Sequence, residues 1–305
     1  MPFDLYFAGA KNTIVEPYLQ SRNANRLCSQ LIDRKCVEFW CENKSEQSKL
    51  FLDSGAYTAY TKGVELSVDE YIDYINSITS HLTIVAQLDT IPGRYGYPKT
   101  KEEILNAPKL SWDNYLYMRK KLIEPNKLVP IFHQGEDFKW LKNMLEWVDE
   151  KGNHIEYIGV SPAVDVPGLE EWLTECFVII KNSSNPNVKT HAFGLTQLSV
   201  LERFPYTSAD STSWKLAAAM GSIFTPWGTL YMSSRNAKPN SFFAQPEDAK
   251  EKVIKYIEKQ NFTLEEVMEK DTVRYIININ YLLEWARNYT YKGGTFNEKT
   301  QIALF

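Results

Sequence analysis

The sequence has few cysteines and no long apolar segment. Its four cysteines lie at positions 28, 36, 41 and 176 of 305 residues, and no two of them form a C-x-x-C pair. Such sparse cysteine usage is typical of reduced thiols in a cytoplasm, where each would pack as a small hydrophobic side chain. No run of about 18 apolar residues occurs, so we expect no transmembrane helix.

The sequence also lacks a signal-peptide pattern and an excess of positive charge. Its first residues do not follow the basic-then-apolar layout of a signal peptide, which predicts a cytoplasmic protein with no membrane partner. Lysine and arginine number 34 against 38 aspartates and glutamates, giving a net charge of −4. A nucleic-acid partner would therefore need a local basic patch.

No G-x-G-x-x-G or Walker pattern is present, and this absence argues against a Rossmann-type domain. The sequence contains no repeats, low-complexity segments or linkers. It shows instead a regular alternation of short β-prone runs and amphipathic helical stretches. Eight strands are predicted, at residues 4–9, 49–55, 83–89, 127–135, 157–162, 190–195, 206–210 and 229–234.

This alternation predicts an α/β protein of the (β/α)8 TIM-barrel class. We expect residues 1–240 to form the barrel, and residues 241–305 to supply a closing helix and a helical C-terminal extension of the same domain. The stretch from residue 10 to about residue 35 is polar and compatible with helix. A loop of about twenty residues should precede a helix at 112–123. A capping box of Thr263 and Glu266 predicts the start of a long helix.

Three predicted strands end in aspartate, at Asp53, Asp89 and Asp210. In a (β/α)8 barrel the carboxyl ends of the strands meet at the face that carries catalytic residues. Paired carboxylates are the groups of retaining glycosidic chemistry, in which one attacks C1′ and the other moves protons. Their mutual repulsion implies that at least one has a raised pKa or a cationic neighbour. Each aspartate alone would suit a turn or helix cap, and the cluster would also suit a divalent cation.

Asp210 lies where a strand passes into a helix at residues 214–221, with Ser211 to Ser213 as candidate N-caps. The helix dipole and its free N–H groups are expected to keep the Asp210 carboxylate ionised. Gln134 ends another strand and offers a donor and an acceptor that suit the amide-like edge of a base. Other polar residues at predicted strand ends are Ser161 and His191.

Five segments of the chain occur in an order that resembles the tRNA-guanine transglycosylase superfamily. They are F-L-D-S-G-A-Y at 51–57, Q-L-D-T at 87–90, H-Q-G at 133–135, G-V-S-P-A-V at 159–164 and S-A-D-S-T-S-W at 208–214. The last segment is most similar to that of the short phage and bacterial relatives that place 7-deazaguanines in DNA. The resemblance implies a TIM barrel that exchanges bases in a nucleic acid.

By this resemblance Asp210 would be the nucleophile that attacks C1′ and releases guanine. Asp53 would be the general base for the incoming 7-deazaguanine, a preQ0/preQ1-like base. Asp89 and Gln134 would read the Watson–Crick edge of the base, helped by the Gly159 backbone. A covalent intermediate implies that no cofactor is required. Further substrate-binding residues expected at this face are Ser54, Gly135, Ser161 and His191.

The tRNA enzymes of this family carry a zinc site of the pattern C-x-C-x-x-C…H, whereas no cysteine follows Cys176 here. We therefore expect no bound metal, and we favour DNA over tRNA as the polymer. Candidate stacking partners for a base are Tyr57, Tyr95 and Phe193, for which ordinary core packing is the alternative. Basic residues on the expected upper loops would form a phosphate-binding rim, with a solvated charged face as the alternative: Lys62, Arg94, Lys99, Lys101, Lys215, Arg235 and Lys238.

The same residues are compatible with other functions. A queuosine-type tRNA-guanine transglycosylase without zinc would use them, as would a hydrolase or lyase of nucleosides or other N-glycosides. A catalytically silent nucleic-acid binder is a third class, against which the three strand-end aspartates argue. A homodimer, or an accessory protein that opens the duplex, is compatible with each of these functions.

Overall fold

The computed structural model describes residues 3–10, 14–43, 46–163, 167–195, 197–233 and 240–293. Within them one parallel sheet contains β1 Asp4–Ala8, β2 Asn25–Ser29, β3 Leu50–Asp53, β4 Ile84–Ala86, β5 Leu128–Val129, β6 Ile131–His133, β7 Tyr157–Ser161, β8 Lys189–Ala192 and β9 Ser208–Ser211. An antiparallel hairpin outside this sheet contains β10 Ser222–Thr225 and β11 Gly228–Tyr231.

The helices follow the strands in alternation around the sheet. They are α1 Val15–Ser21, α2 Arg34–Asn43, α3 Ala56–Lys62, α4 Val68–Ile78, α5 Lys101–Lys121, α6 Lys139–Glu146, α7 Leu169–Lys181, α8 Leu198–Leu201, α9 Ser213–Ala219, α10 Glu247–Glu258, α11 Leu264–Glu269 and α12 Asp271–Arg287. The first nine connect successive parallel strands or follow the last one, as a (β/α)8 topology requires.

The parallel sheet closes into a barrel of eight strands because β5 and β6 are two halves of one barrel strand. They are separated by Pro130, which has no N–H to donate to a neighbouring strand. β5 pairs with β4 and β6 pairs with β7, while the Pro130 carbonyl accepts the Gly159 N–H at 2.8 Å. On the other side of the ring β9 pairs with β1. The predicted TIM-barrel class is therefore confirmed.

The prediction of one barrel strand is wrong. The polar stretch before residue 35 contains β2, which pairs with β1 and β3, whereas the predicted strand at 229–234 begins as β11 in the separate hairpin. β2 has few apolar residues, and its fully buried Arg26 faces the helical layer, where Glu16 of α1 pairs with it at 2.8 Å. Asp210 consequently lies on the eighth barrel strand rather than the seventh.

The long helix α5 begins earlier than the sequence predicts. It starts at Lys101, beside a capping box in which Thr100 and Glu103 satisfy each other's backbone N–H groups. The loop after β4 therefore covers only residues 87–100. The first half of α5 contains Pro108 and exposes several aliphatic side chains, so it lacks the apolar stripe by which a helix is usually identified.

The C-terminal region forms a small core of its own against the barrel. The predicted capping box of Thr263 and Glu266 is present and begins α11. This helix ends at Glu269 and α12 starts at Asp271, so the single long helix that was predicted is two helices. α12 packs against α9 and α1, and the hairpin side chain Ile223 is buried with apolar residues of α10 to α12.

Apolar side chains occupy both sides of the barrel wall. Strand residues alternate between the interior and the helical layer, so the two sides have separate clusters. The interior is filled mainly by Tyr6, Phe51, Ile84, Ala86, Val129 and Ile131. Polar residues follow at the carboxyl ends of the strands, around the opening that we call the mouth. No helix among the described residues is both long and apolar enough to cross a membrane.

Candidate active site

The three predicted aspartates meet at the mouth. Asp53 is the last residue of β3, Asp89 follows β4, and Asp210 is the third residue of β9. Burial, reinforced by the charges of Asp210 and Asp89, raises the pKa of Asp53 to about 7. A hydrogen bond from the Gly55 N–H to Asp53 Oδ2, at 2.9 Å, opposes this shift. The raised pKa expected from mutual repulsion is thus found at Asp53.

Asp210 is held by N–H groups from β8 and the turn that follows it. Its Oδ1 accepts the Gly194 N–H at 2.9 Å and lies 3.3 Å from His191 Nε2. Within the described residues no protein group donates to Oδ2. The donors expected at the start of α9 are not used, because Ser211 Oγ accepts the Ser213 N–H and the helix begins without a side-chain cap.

A chain of hydrogen bonds lies beneath Asp210 inside the barrel. Ser208 Oγ is 2.6 Å from Tyr157 OH and 2.6 Å from His191 Nδ1, and the imidazole connects this hydroxyl to Asp210. Burial lowers the pKa of His191, so its ring is neutral at pH 7. A neutral ring facing a carboxylate through Nε2 carries its proton there, so Nδ1 accepts from Ser208 and Ser208 accepts from Tyr157.

This chain fixes both the tautomer and the orientation of His191. The side chains of His191 and Ser208 are completely buried. His191, predicted as a substrate-binding residue, therefore reaches the mouth only through Asp210. Its effect on a substrate would be exerted through the position and charge of that carboxylate.

Asp89 belongs to a second and more exposed cluster. Its Oδ2 lies 3.2 Å from His133 Nε2, and the His133 N–H donates to Glu136 at 3.2 Å. Burial opposes protonation of the imidazole, but the carboxylates of Asp89 and Glu136 outweigh it and raise the pKa of His133 to about 9. Burial, together with Asp89, raises the pKa of Glu136 to about 7. His133 is therefore a cation at neutral pH.

Gln87 supports Asp89 from below. Its side chain is completely buried, and its Nε2 donates to Asp89 Oδ1 at 2.5 Å. Its Oε1 has no hydrogen-bond partner among the described residues. The two oxygens of Asp89 are thus approached by an amide and by an imidazolium, which fixes the plane of the carboxylate.

Gln134 is buried at the mouth and connects β6 with the segment after β7. Its Oε1 accepts the Ala163 N–H at 3.1 Å and its Nε2 donates to the Pro167 carbonyl at 3.2 Å. The side chain therefore fixes the positions of Ala163 and Pro167 relative to β6. Gly135 follows with φ of +98°, a conformation that favours glycine and lets the chain turn away from β6.

The remaining predicted substrate-binding residues lie at different depths. Ser161 ends β7 at the mouth, and Ser54 is buried beside Asp53 with its carbonyl accepting from Gln30 at 3.2 Å. Gly159 lies lower, in the middle of β7, where an added Cβ would be 2.9 Å from Cδ2 of Phe193. Its backbone N–H is used by the barrel wall, so the structure brings Ser161 rather than Gly159 to the mouth.

The predicted basic residues do not form a single group. Arg94 and Lys99 are exposed on the loop after β4, whereas Lys215 Nζ donates to the Gly9 carbonyl at 2.8 Å. Lys62 ends α3 and Lys101 begins α5. Two further predicted residues, Arg235 and Lys238, lie outside the described residues. Arg94 and Lys99 therefore belong to the loop that continues directly from Asp89.

The candidate stacking residues also differ. Tyr57 and Tyr95 are exposed by 70% and 55%, as a stacking platform requires. Phe193 is half-buried at the top of the barrel interior, with its ring 5.5 Å from Phe51 and 4.5 Å from His191. It closes the apolar interior below the mouth.

Within the described residues no three histidine, cysteine, aspartate or glutamate side chains come together in a way that could hold a metal ion. The sequence matches no protein-family model, and it matches none of the curated proteins. The geometry of the mouth is therefore the basis on which a function is proposed.

Of the residues that support the aspartates, His191 was expected at the mouth from the sequence, whereas Ser208, His133 and Gly194 were not assigned a role. Ser208 was recoverable, because it lies two positions before Asp210 on β9 and must face the same side of the strand. His133 ends the segment that contains Gln134, and its charge state depends on Asp89 from another strand. No sequence pattern points to Gly194, because its N–H reaches Asp210 only through the pairing of β8 with β9.

Proposed function

We propose that this chain is a pentosyltransferase that exchanges guanine in a nucleic acid, with DNA favoured, for a 7-deazaguanine base. The observation that supports this best is that two carboxylates at the same mouth, Asp210 and Asp53, have different environments. Asp210 is fixed through one oxygen, and the second oxygen has no protein donor among the described residues. Asp53 has a pKa of about 7 and is able to lose or gain a proton at neutral pH.

The first half of the reaction uses Asp210 as nucleophile. Its Oδ2 forms a bond to C1′ while the bond between C1′ and N9 of guanine breaks, and the electron pair of that bond passes to N9. Asp53, in its protonated form, supplies the proton that N9 of the departing guanine takes up. The sugar remains attached to the enzyme as an ester of Asp210, so the polymer is never left with a hydrolysed site.

The second half reverses these steps with a new base. Asp53, now ionised, takes the N9 proton of the incoming 7-deazaguanine, and N9 bonds to C1′. The ester bond breaks, and its electron pair returns to Oδ2 of Asp210. Protons and charges balance over the cycle without a cofactor, because the energy of the glycosidic bond is kept in the ester.

Asp89 and His133 together suit the edge of a guanine-like base. The carboxylate of Asp89 would accept from N1–H and the N2 amino group, and the imidazolium of His133 would donate to O6. Gln134 would act indirectly, by fixing Ala163 and Pro167 beside this edge through its amide. This division differs from the one that the sequence alone suggested, because the cation at His133 takes the part first given to Gln134.

Base exchange is tested with radiolabelled guanine. The protein is incubated with labelled guanine and a guanine-containing DNA oligonucleotide or a tRNA, and the label in the intact polymer is counted. We expect incorporation into DNA and none with Asp210→Asn. Incorporation into tRNA alone would replace the polymer in this proposal. Abasic sites without incorporation would indicate an N-glycoside hydrolase, and label in neither polymer with no abasic sites would contradict enzymatic base removal altogether.

A further inference from the structure

Two segments beside the mouth combine exposed tyrosines with positive charge. α3 begins three residues after Asp53, and the loop of residues 90–100 continues directly from Asp89. We call their shared surface the tyrosine rim, which consists of Tyr57, Tyr60, Arg94, Tyr95, Tyr97 and Lys99.

The two segments form one surface because their rings touch. The ring centroids of Tyr60 and Tyr95 are 5.8 Å apart at an interplanar angle of 87°, an edge-to-face contact. Tyr57, Tyr95 and Tyr97 nevertheless leave 70%, 55% and 61% of their surface exposed. Three neighbouring aromatic side chains that are each more than half exposed indicate a surface for contact with a flat, apolar face.

The charge of the tyrosine rim is opposite to that of the whole chain. The chain has a net charge of −4, yet residues 54–64 and 90–100 contain no aspartate or glutamate and contribute Lys62, Arg94 and Lys99. The Arg94 guanidinium lies 5.0 Å above the Tyr97 ring, and Lys99 Nζ lies 5.7 Å from the Tyr60 ring centre. The cations are therefore held beside the rings, so that one surface offers both stacking faces and positive charge.

We propose that the tyrosine rim binds an unpaired strand of the nucleic acid, next to the nucleotide whose base is exchanged. Stacking on tyrosine needs an open base face, which a duplex covers with the neighbouring base pairs. The cations would meet the phosphates between the stacked bases. This inference rests on the proposed function only in taking a nucleic acid as the substrate.

The proposed location also meets a requirement of the reaction. C1′ of a nucleotide inside a duplex is inaccessible to a buried carboxylate such as Asp210, so the nucleotide must be unpaired or flipped out. A rim that holds the adjoining bases unpaired would keep the strand open at the mouth. The rim lies on the side of Asp53 and Asp89, so the held strand would reach the mouth beside the proton-transferring group.

The test uses a fluorescent strand of fifteen thymidines, which contains no guanine and so cannot undergo the proposed exchange. We expect the wild-type protein to bind this strand more tightly than the matching dT–dA duplex. Tyr95→Ala should weaken binding roughly 5- to 100-fold, since stacking on one aromatic side chain typically changes affinity by that factor. Tyr95→Phe should keep it, because the ring is retained.

The contribution of charge is measured in the same assay by varying the salt concentration. Arg94→Gln should lower the slope of log affinity against log salt by about 0.7, the value for one phosphate of a single strand. Arg22→Gln is the matched control, since Arg22 lies 5.1 Å above the Tyr18 ring at the end of α1, which leads into the opposite face of the barrel. It should leave the slope unchanged.

Three results would overturn the inference: duplex bound as tightly as single strand, Tyr95→Ala with unchanged affinity, or Arg22→Gln with the same effect as Arg94→Gln. Any of these would leave the proposed exchange standing if labelled guanine still enters the polymer. Rim-dependent binding of the thymidine strand without guanine exchange would instead support the tyrosine rim and contradict the proposed chemistry.

Discussion

At the mouth of the barrel Asp89 faces His133 at 3.2 Å and Asp210 faces His191 at 3.3 Å. Both aspartate side chains are 12% exposed, so the two pairs differ mainly in their histidines. His133 is 37% exposed and has its pKa raised to about 9 by Asp89 and Glu136, against the effect of burial. His191 is completely buried and has a lowered pKa.

The two pairs contain the same residue types, yet at neutral pH His133 is a cation whereas His191 is neutral. The neutral His191 orients Asp210 without cancelling its charge, which preserves the carboxylate as a nucleophile. The cationic His133 cancels the charge of Asp89, and this suits hydrogen bonding to a base more than attack on a sugar. Depth in the barrel, together with the nearby Glu136, is what separates the two roles.

Removing the charge of Asp210 should have the largest effect. Asp210→Asn keeps the shape of the side chain but removes its nucleophilic oxygen, so we expect exchange to fall on the order of 10³-fold or more. The variant should fold normally and bind free base as the wild type does. Near-normal exchange would assign the attack to another residue, and Asp53 would be examined first.

A trapping experiment provides the control for Asp210. Asp53→Asn lacks the group that activates the incoming base, so the ester on Asp210 should accumulate if guanine still departs. Denaturing gels with labelled oligonucleotide should then show a shifted band. The band should disappear in the double variant with Asp210→Asn, and its persistence there would exclude Asp210 as the attachment site.

The raised pKa of Asp53 predicts a stability effect that depends on pH. The folded state binds the Asp53 proton more tightly than the unfolded state does, so stability falls as pH rises from about 4 to about 7. Asp53→Asn has no such cost and should be more stable at pH 8, on the order of 3 kcal/mol. The difference in urea unfolding should shrink toward zero near pH 4, and an equal difference at both pH values would contradict the raised pKa.

The affinity for free base should depend on Asp89 and His133, the more exposed of the two pairs. Asp89→Asn removes a charged acceptor, which typically contributes about 1.5–3 kcal/mol, so calorimetry should show roughly ten- to a hundred-fold weaker binding of free base. His133 loses its main anionic partner in this variant, so its pKa should fall from about 9 toward its ordinary value. Gln134→Ala should also weaken binding, with added loosening of the segment that Gln134 holds. Unchanged affinity in both variants would place base recognition elsewhere.

In the buried pair of Asp210 and His191, the histidine should tolerate only a replacement that forms the same hydrogen bonds as a neutral imidazole. His191→Gln supplies an amide N–H toward Asp210 and an acceptor toward Ser208, so we expect exchange to fall less than about tenfold. His191→Leu removes both and should lose roughly ten- to a hundred-fold in kcat. The pH profile of His191→Gln should match that of the wild type, because burial lowers the pKa of His191 and favours its neutral form. A profile that shifts in His191→Gln would show that the imidazole changes its charge during turnover.

Much of the fold could be predicted because most barrel strands are apolar and end at a polar residue. The exceptions have physical causes that lie outside each segment. Arg26 looks incompatible with a barrel strand, but Glu16 of α1, ten residues earlier, pairs with it in the helical layer. The hairpin strand β11 looks like a barrel strand because its inner residues are buried too, against α10 to α12 rather than against β1.

The candidate site could likewise be predicted from the sequence only in part. The positions of Asp53 and Asp89 follow from local sequence, since each ends or follows a short apolar strand, and Asp210 lies just before a helix-forming stretch. Their charge states do not, because they depend on burial and on groups that only the closed ring brings together. The neutral His191 and the cationic His133 could not be distinguished by any local pattern.

The glycine at position 159 determines how deep the mouth is. Because Gly159 has no side chain, the ring of Phe193 lies against its backbone, and a methyl group there would come within 2.9 Å of Phe193 Cδ2. Any larger residue would displace this ring, which closes the interior below the mouth. The size of the base that the barrel accepts would then be set by a position that no base touches, so selection for a new substrate has a route that leaves every catalytic group unchanged.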